Sequence, residues 1–111
     1  MSRAIRWILP LCAVLAFAPP ALAQDDAKKV EKGKAVYLAQ HCAMCHQIAG
    51  KGNPKTPLDD VGSKLTADEI RKYIVTPQEA NKQSKMKAYP SLQGEDLDAL
   101  VAYLSGLKKK Q

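Results

Sequence analysis

The sequence predicts an all-α domain of about three main helices, and three observations carry that prediction. No stretch alternates apolar and polar residues in the manner of a half-buried strand. Thr66 and Glu69 stand at the spacing of a capping box, where each side chain satisfies a backbone N–H at a helix start. Leu97, Leu100, Val101, Leu104 and Leu107 recur at i, i+3, i+4, i+7 and i+10, which lines up one apolar helical face.

The elements follow in chain order. Arg3 and Arg6, the apolar run from Ile8 to Ala18, and Ala21-Leu22-Ala23 have the layout of a secretory signal peptide with an A-x-A cleavage site. The run is short against the roughly 20 residues needed to span a bilayer, so no stable membrane insertion is expected after cleavage. Residues 1–23 are thus read as a cleaved leader and 24–111 as one domain. Asp26 is placed to cap a helix over about 27–40, with Val30, Gly33 and Tyr37 along one face. Gly33, costly inside a helix by about 1 kcal/mol relative to alanine, suggests the close approach of another helix. Residues 47–64, with Gly50, Gly52, Pro54 and Pro57, read as a loop. The capped helix carries Ile70, Tyr73 and Ile74 on one side, with Leu65 and Ile70 placed as a hydrophobic staple, and stops before Pro77. Residues 77–91 form a second loop. The last helix starts near Gly94, with Glu95 and Asp96 complementing its dipole, and ends at Gly106 and Lys108 to Lys110.

Charge and cysteine content narrow the function. The full chain has 17 basic and 11 acidic residues. Loss of Arg3 and Arg6 leaves 15 against 11, a net charge of +4. No basic stripe interleaved with aromatics is present, and the single Trp7 leaves with the leader, so nucleic acid is not an expected partner. The surplus suits weak, salt-sensitive docking on an acidic protein surface. Cleavage also removes Cys12, leaving Cys42 and Cys45. Export favours disulfides, yet a bridge between residues three apart closes a tiny loop and stabilises little.

Cys42-Ala43-Met44-Cys45-His46 is a C-x-x-C-H sequence, the signature of c-type haem attachment. In a helical turn, residues i and i+3 share a face, so two sulfurs can reach the two vinyl positions of one porphyrin. His46 is then held beneath the iron as the proximal ligand. A thioredoxin-like motif would need a βαβ context, and a zinc site would need further Cys or His ligands beyond the spare His41.

The early position of C-A-M-C-H, the segment Lys85-Met86-Lys87-Ala88-Tyr89-Pro90 and the closing D-L-D-A-L-V-A-Y-L run resemble a class I cytochrome c over roughly residues 30–107. The resemblance implies three main helices wrapped around one covalently bound haem. It also implies a crossing of the first and last helices at a glycine. A methionine is the sixth iron ligand in that family. Met1 departs with the leader and Met44 is held between the two cysteines, which leaves Met86. A core gap-filling role for Met86 sits poorly with lysines on both sides of it. Lys87 departs from the family's usual proline. A further proline carbonyl accepts the proximal imidazole proton, a role implied for Pro57, with Pro54 as the alternative.

The resulting expectation is a periplasmic one-electron carrier between respiratory or dehydrogenase partners, and not an enzyme. Its iron ligands would be His46 and Met86. It would act as a monomer or as a subunit of a redox complex. Lys51, Lys55, Lys82, Lys85 and Lys87 are expected around the haem edge, either as a docking ring or as ordinary surface charge. The alternatives are a haem subunit of a larger oxidoreductase, or a ligand-binding or peroxidatic haem protein with an open iron position.

Overall fold

A computed structural model describes residues 21–109, together with Ala13 and Leu15. The expected leader, residues 1–23, lies almost wholly outside the described residues. Helix α1 spans Ala21–Ala39, beginning before the expected residue 27. Asp26 is therefore an interior helical residue and not a cap. From Ala21 to Lys32 most residues are good helix formers and none is glycine or proline, so nothing stops the helix at Asp26. Val30 points outward at 36% exposure, and the buried side of α1 is Gly33, Val36 and Tyr37.

His41, in the left-handed region with φ 57°, ends this helix and leads into a 3₁₀ turn at Cys42–Met44. The expected loop from 47 to 64 has local order of its own. Strands β1 (Gln47–Ile48) and β2 (Lys51–Gly52) pair antiparallel around Ala49 and Gly50, both with positive φ as a two-residue hairpin turn requires. Helix α2 (Val61–Lys64) is a single turn. Two-residue strands and one-turn helices are too short to show a period in sequence.

Helix α3 (Ala67–Val75) has the expected capping box. Thr66 accepts from the Glu69 N–H, and the Glu69 side chain accepts from the Thr66 N–H. The helix buries Ile70 and Ile74 and leaves Tyr73 partly buried. Pro77 then opens one more turn, α4 (Pro77–Ala80), inside the stretch read as loop. Helix α5 (Gly94–Ser105) buries Leu97, Leu100, Val101 and Leu104, and Leu107 packs on the same core after the helix ends.

Helices α1 and α5 cross where the sequence suggested. A Cβ on Gly33 would fall 2.0 Å from the Ala99 carbonyl oxygen and 2.6 Å from the Tyr103 Cβ. The glycine thus lets the backbones touch. Tyr37 and Tyr103 meet edge to face beside it, with centroids 5.9 Å apart. Lys32 reaches Glu95 at 3.0 Å and Asp96 at 3.5 Å across the same pair, and Arg71 reaches Asp98 at 2.8 Å from α3. These exposed pairs orient more than they stabilise. Among the described residues no helix is long and apolar enough to cross a membrane.

Candidate functional site

The C-x-x-C-H turn is fastened from both sides by the following loop. Asn53 donates its N–H to the carbonyls of Ala43 (3.1 Å) and His46 (2.9 Å), and its side-chain amide donates to Met44. Gly52 allows this approach, since a Cβ there would fall 2.1 Å from the His46 carbonyl oxygen. Thr56 donates its hydroxyl to the Cys45 carbonyl.

His46 Nδ1 donates to the Thr56 carbonyl at 3.1 Å. This corrects the expectation for Pro57. The proline shapes the acceptor instead of supplying it: a residue before proline is driven into extended conformation. Gln47 donates to the same Thr56 carbonyl, and Leu58 donates back to Gln47, so the acceptor is held on a short parallel bridge. Counting two residues back from Leu58, as the P-x-L pattern asks, would have pointed to position 56. A proton committed at Nδ1 leaves the Nε2 lone pair free to bind a metal.

Met86 comes from the irregular segment after α4. It lines an apolar cavity of about 220 Å³ together with Cys42 and His46. A second, more open cavity of about 600 Å³ contains Cys42, Cys45, His46 and Met86. All four expected site residues therefore line one recess. Of the five expected rim lysines, Lys55, Lys85 and Lys87 line it, while Lys51 and Lys82 do not. His41 lines only the open part.

The recess suits a large apolar group with covalent and axial anchors. Cys42 and Cys45 are not joined in a disulfide. Burial pushes the Cys42 thiol above its ordinary pKa, and Cys45 nearby adds to this. Tyr37 is pushed up to about 12, first by burial and then by Cys42, Tyr103 and Asp59. Its hydroxyl is buried at the cavity wall without a hydrogen-bond partner. Among the described residues, no three His, Cys, Asp or Glu side chains gather as a metal cluster. Two thiols, one tied imidazole and one thioether around an apolar recess could hold a thioether-linked haem.

Comparison with known proteins points to the same class of cofactor. The cytochrome c family model matches residues 30–108. The chain is 29% identical over 86 residues to cytochrome c oxidase subunit 2 of Alkalihalophilus pseudofirmus, a match covering 69% of this chain and 25% of that protein. The chain thus spans about a quarter of that relative's length. No solved structure matches the chain.

Proposed function

This chain belongs to the cytochrome c family, and from that premise we propose that it is a periplasmic one-electron shuttle whose haem is held by Cys42, Cys45, His46 and Met86. Family membership itself makes the chain a haem-based electron carrier with a covalently bound c-type haem and its iron. The finer reading rests on one observation: those four residues line a single recess.

Each side chain has a distinct task there. The haem supplies the one-electron couple of its iron. Cys42 and Cys45 anchor it through thioethers, and His46, oriented by the Thr56 carbonyl, presents Nε2. Met86 presents a soft thioether, a ligand that raises reduction potential. Leu58, Ile70, Ile74, Leu92, Leu100 and Leu104 line the inner cavity and keep water away from it. A site closed by two protein ligands exchanges electrons without exchanging ligands.

Absorption spectra of the oxidised and reduced holoprotein, followed by carbon monoxide, test this reading. A weak far-red sulfur-to-ferric-iron band and an unchanged reduced spectrum under the gas are expected. A missing band with ready gas binding would replace it by the ligand-binding or peroxidatic reading. The leader layout of residues 1–23 supports export to the periplasm, and cell fractionation checks it.

Lys55, Lys85 and Lys87 at the open recess support docking on redox partners with acidic surfaces. Electron-transfer rates with such a partner should fall at least severalfold between about 0.01 and 0.15 M salt, as the Debye length shrinks from about 30 to about 8 Å. Rates indifferent to salt would make these lysines ordinary surface charge.

A second reading is a haem subunit of a larger oxidoreductase. The similarity to a protein named as a cytochrome c oxidase subunit favours it. Co-purification in a stable complex would select it over a free shuttle.

A further inference from the structure

Among the described residues, 85–88 make no backbone–backbone hydrogen bond, although they carry Met86. Regular pairing ends at Ser84, whose N–H donates to the Asn81 carbonyl at 2.9 Å, and resumes at Tyr89, which donates to the Ile74 carbonyl at 3.0 Å. Between these points the chain is held by side chains. Gln78 Nε2 donates to the Ser84 carbonyl at 3.2 Å and to the Met86 carbonyl at 3.3 Å. The Ser84 hydroxyl accepts from the Met86 N–H at 3.2 Å. Both acceptors of Gln78 are carbonyls, so its amide orientation is fixed by chemistry: only the nitrogen can serve them.

Gln78 is also well mounted for this task. It is the second residue of α4, directly after Pro77, whose side chain is fully buried. Asn81 N–H closes the turn on the Pro77 carbonyl at 2.9 Å. The amide thus runs from a buried anchor to the two carbonyls that flank Lys85.

We infer that Gln78 is a positioning residue for the axial ligand, clamping the Met86 segment through the carbonyls of Ser84 and Met86. The inference rests on Met86 being that ligand. Removing the amide donors shifts the segment toward open conformations and leaves the ligand itself in place. An open segment exposes the iron's sixth position, so the affinity of ferric holoprotein for added imidazole reads the opening equilibrium. Each ordinary hydrogen bond is worth roughly two- to tenfold in such an equilibrium. Gln78 is exposed and water competes with it, so roughly fivefold is the expected total.

The experiment titrates imidazole into ferric wild type, Gln78→Ala, Gln78→Glu, Met86→Ala and the Gln78→Ala, Met86→Ala double variant, with haem content and helicity checked for each. Gln78→Ala is expected to bind imidazole roughly fivefold more tightly than wild type while keeping its far-red band. Gln78→Glu keeps the side-chain size but places carboxylate oxygens against carbonyls, so it should bind at least as tightly as Gln78→Ala. In the Met86→Ala background, Gln78→Ala should change nothing. A Gln78→Ala affinity within twofold of wild type, or an equal gain in the Met86→Ala background, would overturn the clamp. Wild type binding imidazole as tightly as Met86→Ala would instead overturn Met86 ligation itself.

Discussion

A Cys42→Ala, Cys45→Ala double variant is expected to lose most of the native helical signal in far-UV circular dichroism. The fold is arranged around a recess, not around a filled centre. Leu100 and Leu104 of α5, Ile70 and Ile74 of α3 and Tyr37 of α1 all contribute to the wall of its 220 Å³ inner cavity. Without the haem these apolar side chains lose the burial that holds the three helices together, worth about 25 cal/mol per Å² of apolar surface returned to water. The total stability of a small domain is about 5–15 kcal/mol, and a chain this short buries a modest fraction of its surface, so it has little to spare. Native-like helicity in the double variant would mean that the protein core folds without its covalent anchor.

The second large effect is expected from Gly33→Ala. Alanine is favoured over glycine within a helix by about 1 kcal/mol, which would stabilise α1 if the site were open. It is not open, because the new Cβ would meet the Ala99 carbonyl oxygen at 2.0 Å and its carbon at 2.6 Å. Backbone atoms cannot rotate aside, so α1 and α5 must separate. Separation loosens the Tyr37–Tyr103 contact and the wall of the cavity behind it. Overpacking costs about 1–3 kcal/mol even where side chains can yield, so the clash outweighs the propensity gain. A fall in Tm of roughly 10 °C, at about 4–8 °C per kcal/mol for a domain of this size, is the expected result in thermal unfolding. An unchanged or raised Tm would place the helix crossing elsewhere.

The parts of the fold that could be read in advance are those whose cause is local or periodic. Thr66 and Glu69 announce α3 because a capping box is closed within four residues. The leucines of α5 announce themselves by their spacing, and Gly33 by being an expensive residue in an otherwise favourable helix. The four side chains that line the recess could be picked out for the same reason, since C-x-x-C-H is contiguous and Met86 stands apart from other methionines. What escaped was backbone and long-range. The acceptor for His46 is a main-chain carbonyl, which any residue type can offer, so Thr56 left no side-chain signature. Gln78 is a polar residue in a polar stretch until α4 turns it toward Ser84 and Met86. The early start of α1 escaped because Asp26 has the chemistry of a cap, yet no residue there interrupts the helix.

The crossing of α1 with α5 also sets an order of events in time. Residues 42–46 follow α1 directly, whereas α5 comes after everything else that packs on it. A chain that emerges N-terminus first therefore presents both thiols ahead of α5, which adds Leu100 and Leu104 to the recess wall. Until α5 packs, the turn stands in water with that part of its wall missing. The α1–α5 contact joins the two ends of the domain, a non-local pairing of the kind that closes late, and late closure leaves the thiols within reach of the cofactor.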